Sequence, residues 1–134
     1  MRRKNMTTTA LKNKKMNDAT YAERRRVMAW IYRARDVLRA AGLDLPRIEV
    51  RICEPSARTL GVGRRGAKMM WISESAILGR SDAQLGQTVL HEIAHAAFDA
   101  PHVRGCPLMD PYAPSVPNIR ACEAVLVALA HRAA

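Results

Sequence analysis

The stretch TVLHEIAHAAFDAPHVRGCPLMDP, Thr88–Pro111, holds three of the four histidines of the 134-residue chain, with a glutamate, a cysteine and a methionine among its prolines. His91 and His95 are four residues apart. On a helix their side chains project from one face a turn apart, close enough to share one tetrahedral metal ion. The intervening and flanking residues, Val89-Leu90, Ile93-Ala94 and Ala96-Ala97, are uncharged and free of proline. The helix is therefore expected to be buried, where two histidines and a glutamate are costly without a shared partner. The His-Glu-x-x-His spacing predicts two Zn2+ ligands and, in Glu92, a carboxylate able to take a proton from a zinc-activated water. Pro101 ends the helix, and His102 on the returning chain is the candidate third ligand.

Outward from this stretch, Ser81-Asp82-Ala83-Gln84 fits a capping box that opens the histidine helix, which should run to about Phe98. Downstream, Pro111, Pro114 and Pro117 mark a loop. A last helix follows, capped by Asn118, with Ile119, Cys122, Val125, Leu126 and Leu129 on its buried side. Upstream, residues 59–73 read as two short strands around a Gly-Arg-Arg-Gly turn, the second carrying Met70 and Ile72 on one face and Met69 and Trp71 on the other. Arg47–Ile52 alternates apolar and charged residues as a half-buried strand does, and residues 53–58 form a turn. A first helix is expected from a Thr20–Glu23 capping box to a Gly42 stop, with Val27, Trp30, Ile31, Ala34, Val37, Leu38 and Ala41 at helical spacing. Residues 1–17, polar and basic, read as a disordered tail before a single domain over 18–134. The fold class is α+β, with about three strands in a small mixed sheet.

The formal net charge of +10 is uneven. Residues 1–40 carry twelve Lys and Arg against three acids, giving +9, and residues 41–134 carry ten against nine, giving +1. Two readings of the basic third stand side by side: a solvated, solubilising face, or non-specific nucleic-acid contact through residues 1–40. Cys53, Cys106 and Cys122 are odd in number and form no C-x-x-C pair, which argues against a disulfide framework and for a reducing compartment. The basic N-terminus lacks an apolar signal core and the longest apolar run is too short to span a bilayer, so a cytoplasmic protein without membrane contact is expected.

In residue type and order, His91, Glu92, His95, His102 and Met109 resemble the metzincin clan of zinc peptidases, especially small matrixin-like members, whose pattern is H-E-x-x-H-x-x-G-x-x-H followed by a Met-turn. The resemblance covers residues 85–111 and implies a minimal zincin fold. It further implies a zinc held by His91, His95 and His102, with Met109 shaping the floor of the site. Glu92 would act as general base in hydrolysing a peptide or protein substrate laid extended along an edge strand near Lys68 to Ser73. The sequence departs from the pattern in two ways: His102 comes one residue late, and Phe98-Asp99-Ala100-Pro101 replaces the turn glycine, where Asp99 could adopt the left-handed conformation that glycine normally takes. Alternative ligands are Glu123, in the position where gluzincin-like enzymes take a glutamate from a downstream helix, and the Cys106 thiolate. Tyr112 is a candidate hydrogen-bond donor to a reacting carbonyl oxygen. The order of hairpin, strand and histidine helix is also similar to SprT-like, DNA-associated metallopeptidase domains. A nucleic-acid-binding or regulatory module with a non-catalytic zinc site is the remaining alternative.

Overall fold

The computed structural model describes residues 14–15, 21–53, 61–64, 68–112 and 114–134. Over these the chain is α+β, in the order β1 (Lys14–Lys15), α1 (Tyr21–Ala40), β2 (Glu49–Cys53), β3 (Gly61–Arg64), β4 (Met69–Ser73), α2 (Glu74–Leu78), α3 (Asp82–Phe98) and α4 (Ile119–Ala133).

The strands form one mixed sheet in the order β1-β2-β4-β3: β2 and β4 are parallel, and β1 and β3 flank them antiparallel. This overturns the expectation that residues 68–73 form an edge. β4 is hydrogen-bonded on both sides, and the edges among the described residues are β1 and β3. β1 adds a fourth strand from within residues 1–17, while the rest of that segment and the Thr20 cap lie outside the described residues, as do residues 54–58 and 65–66 of the expected turns; Cys53, expected in the first turn, ends β2, and Gly63 and Arg64, expected in the second, belong to β3. The alternation read in β4 holds: Met70 and Ile72 are fully buried, Met69 and Trp71 half-buried. Their β2 partners in register, Val50 and Ile52, complete the apolar face.

α3 is the centre of the molecule. It packs on α1, α2 and α4 and on β3 and β4, and every residue from Leu85 to Ala96 is buried. Its start is fixed by a complete capping box: Gln84 N–H donates to Ser81 Oγ (3.2 Å), and the Ser81 N–H donates to Gln84 Oε1 (3.0 Å). α1 lays Val27, Trp30, Ala34 and Leu38 against it, one helical stripe of apolar side chains. It ends where the sequence places the stop. Gly42 takes φ +78°, and the N–H groups of Gly42 and Leu43 return to the carbonyls of Arg39 and Leu38, a Schellman closure. Arg26 then ties α1 to the chain beyond β4, donating to the Ile77 carbonyl and standing 3.8 Å from Asp82. The sequence reading had no counterpart for α2, a five-residue helix capped by Ser73.

The contact between α1 and α3 depends on Gly86. A Cβ there would meet the Trp30 ring at 2.4–2.5 Å, far inside van der Waals contact, with the indole held by a hydrogen bond from Nε1 to Asp82 Oδ1 (3.3 Å). On an exposed helix Gly→Ala stabilises by about 1 kcal/mol. Gly86→Ala is expected to destabilise by about 1–3 kcal/mol because the two helices must separate. A urea midpoint that rises in the variant would show that α1 does not pack this closely.

Candidate metal centre

His91 and His95 project from α3 as their spacing requires, and the chain after the helix brings His102 to them. The three ring centroids lie 4.6 Å (His91–His95), 5.2 Å (His91–His102) and 4.8 Å (His95–His102) apart. One ligand nitrogen from each falls within 4.8 Å of the others, and this is the metal-capable cluster among the described residues. His91 and His95 are buried and His102 is exposed, so the cluster opens to solvent on one side.

The return of His102 rests on Asp99. α3 ends with Asp99 in the left-handed region at φ 53°, ψ 35°, the conformation that the missing turn glycine would supply. The reversal also brings the Ala100 carbonyl onto His95, whose Nδ1–H donates to it at 2.6 Å. His91 makes the equivalent bond to the Leu108 carbonyl at 2.6 Å. A carbonyl oxygen only accepts, so both rings carry a hydrogen on Nδ1, which in a neutral imidazole leaves Nε2 as a bare lone pair. Those two Nε2 atoms face each other at 3.1 Å. Two lone pairs at that distance repel unless a positive charge lies between them. The separation is close to the roughly 3.3 Å expected for two nitrogens each about 2.0–2.1 Å from a tetrahedral Zn2+.

Burial supplies the rest of the electrostatics. The His91 pKa is pushed down to about 4, chiefly by desolvation and further by the neighbouring His95 and His102, against the opposing Leu108 hydrogen bond and the Asp110 carboxylate. His91 is thus neutral near pH 7, the form that binds metal.

The loop beneath the cluster is held by groups that the sequence reading did not single out. Asp110 accepts the N–H of Gly105 (2.8 Å) and of Tyr112 (2.9 Å), and these bonds hold its carboxyl below the usual range. The Val103 N–H donates to the Met109 carbonyl (2.8 Å), closing the loop on itself. Gln87, buried one turn before His91, donates to the same Leu108 carbonyl at 3.4 Å. Its four-residue spacing from His91 on the same helix face was a visible signal, and Asp-Pro in a turn was another. Nothing in the sequence marked the Leu108 and Ala100 carbonyls.

The other candidates fall as follows. Glu92 is buried, 6 % exposed, beside His91. Met109 is 1 % exposed, directly after the Leu108 carbonyl that orients His91. Glu123 is not brought to the cluster: its carboxylate pairs with Arg33 on α1. Cys106 is a half-buried turn residue outside the cluster, its N–H on the Val103 carbonyl. Cys122 is buried under the same loop, its thiol on the Pro107 carbonyl and its pKa raised by burial to about 11, which keeps it protonated. Tyr112 is 75 % exposed. No helix among the described residues is long and apolar enough to cross a membrane. In comparisons with known proteins, the chain matches no family model, no curated protein and no solved structure.

Two outcomes are expected. Asp99→Gly keeps metal affinity, whereas Asp99→Val, costing about 1–2 kcal/mol in the left-handed region, lowers both stability and affinity; equal affinities in a zinc competition titration would detach His102 from this turn. For the metal-free protein, the His91 pKa is lowered from 6.5 to about 4, so the unfolded chain takes the proton first as pH falls. Stability should decline from about pH 6.5 towards pH 4, by up to about 3 kcal/mol from this group. Urea unfolding of wild type and His91→Gln across that range isolates the contribution, and a pH-independent difference between them would contradict it.

Proposed function

We propose that the chain is a zinc-dependent metallopeptidase on a minimal zincin-like fold. The observation that carries this reading is the pair of carbonyl-oriented histidines, His91 and His95, presenting Nε2 atoms 3.1 Å apart with His102 beside them. Three protein ligands opening to solvent favour a catalytic site over a closed structural one, which takes four. The pairing of Glu123 with Arg33 and the position of His102 favour the metzincin order over the gluzincin and SprT-like ones.

When bound, the ion would polarise the scissile carbonyl and acidify the attacking water. The chain's residues supply the proton chemistry and the positioning. Glu92 accepts the proton that water loses as its oxygen bonds to the carbonyl carbon, and returns it to the amine as the C–N bond breaks. The Leu108 and Ala100 carbonyls keep the imidazoles from rotating. An extended substrate would add to the outer edge of β3, Gly61–Arg64, antiparallel to β4 and packed on the histidine helix, through backbone hydrogen bonds.

The test compares wild type, Glu92→Gln and His102→Ala. Glu92→Gln is expected to keep about one zinc per chain and lose at least about a hundredfold in cleavage of an unfolded protein, the contribution of a general base. His102→Ala should lose zinc affinity by about tenfold or more. Equal cleavage by wild type and Glu92→Gln would remove Glu92 from the chemistry. Bound zinc with no cleavage by wild type would favour the non-catalytic module.

A further inference from the structure

The excess charge of residues 1–40 has a structured part. α1 carries Tyr21, Arg24, Arg25, Met28, Tyr32, Arg35 and Arg39 at three- and four-residue steps, so they lie along one side of the helix. That side is opposite the stripe of Val27, Trp30, Ala34 and Leu38 that packs inward. Tyr21 and Tyr32 are 66 % and 49 % exposed, and Arg25 and Arg39 are exposed with them. The guanidiniums stand over the rings: Arg25 lies 5.4 Å from the Tyr21 centroid and Arg35 lies 4.9 Å from that of Tyr32. Of the two acids on α1, Glu23 is buried and Asp36 pairs with Arg35 at 3.6 Å, so the stripe is cationic.

A solubilising face needs charge alone. Large aromatic rings left in water beside arginines, on a helix with an ample apolar face elsewhere, are what a partner combining phosphates with flat bases would use. From Tyr21 to Arg39 the stripe runs about 27 Å, long enough to follow several phosphates. We propose that this side of α1 is a sequence-independent nucleic-acid-binding surface, the arginines contacting phosphates and the tyrosines stacking on unpaired bases. It lies away from α3, because the Trp30 side of α1 packs on Gly86. Nucleic acid bound there leaves the histidine cluster free, and the inference stands independently of the peptidase reading.

The experiment measures anisotropy of a fluorescein-labelled oligothymidine of about 20 nucleotides and of a duplex of equal length, with the full chain, between about 50 and 200 mM salt. Three variants are compared: Arg25→Ala/Arg35→Ala/Arg39→Ala, the charge-matched Arg47→Ala/Arg120→Ala/Arg132→Ala from exposed positions elsewhere, and Tyr32→Ala. Circular dichroism checks that each keeps its helices. Expected are binding that weakens steeply with salt, and a loss of about tenfold or more in the α1 triple variant. Its duplex salt slope should be shallower by about 2–3, near 0.9 for each lost phosphate contact. The charge-matched variant should stay near wild type, and Tyr32→Ala should weaken the single strand more than the duplex. Absence of binding at the lowest salt, or equal loss in both triple variants, overturns the proposal. Equally strong binding of a labelled polyglutamate overturns it in favour of an acidic protein partner.

Discussion

Two imidazoles in the interior of one helix, with their Nδ1 hydrogens committed to carbonyls and their Nε2 lone pairs facing at 3.1 Å, set the condition that the surrounding structure meets. A buried polar group without a partner costs kilocalories, so a helix buried from Leu85 to Ala96 tolerates His91, Glu92 and His95 only with neighbours supplied for them. For His91 and His95 those neighbours come from the segment after the helix. Ala100 serves His95 because the chain reverses at Asp99, and Leu108 serves His91 because the loop from Val103 to Tyr112 folds back under α3. The reversal that satisfies His95 is also the one that delivers His102. One left-handed residue therefore links the hydrogen-bonding needs of the core to the completion of the cluster.

The remaining elements hold that helix still. Gly86 lets the Trp30 ring lie directly on α3, the Ser81–Gln84 box fixes where the helix begins, and Arg26 bridges α1 to the segment leading into it. The Lys68 N–H donates to the Ala96 carbonyl (3.2 Å) and its carbonyl accepts from Glu49 (2.9 Å), so the sheet is anchored to the last turn that carries His95. A metal centre needs ligands whose rotamers and rings cannot wander, and His91 and His95, the two buried members of the cluster, are set on a helix buried from Leu85 to Ala96. The third, His102, sits on a loop whose shape depends on Asp110 and its two backbone donors. That combination of a rigid pair and an exposed third histidine leaves one side of the cluster open to solvent.

Charge is segregated in the same molecule. The cluster and its loop belong to the part of the chain with a net charge of +1, while the basic third contributes α1, whose inner stripe is core and whose outer stripe is arginine and tyrosine. A single helix thus supports the histidine helix with one side and presents a cationic surface with the other.

Local patterns determined most of this before folding is considered. The histidine spacing, both halves of the Ser81 cap, the Gly42 stop, the Asn118 cap and the alternation in Met69–Ser73 each express short-range geometry, a few residues acting on their neighbours, and each lies where the residues place it. Asp99 was legible as a residue able to take the left-handed conformation between a helix end at Phe98 and a third histidine four residues on, no glycine being present. Long-range pairing decided what sequence could not express. Whether β4 is an edge depends on β2 joining it in parallel across the intervening chain, and an apolar strand looks alike with one neighbour or two. Which of His102 and Glu123 lies beside His91 and His95 was likewise tertiary, since a surface glutamate and a ligand glutamate have the same sequence signature, and only the packing of α1 against α4 puts Arg33 within reach of Glu123. Backbone carbonyls that orient the histidines carry no residue identity at all, so they appear only once the chain has folded back on itself.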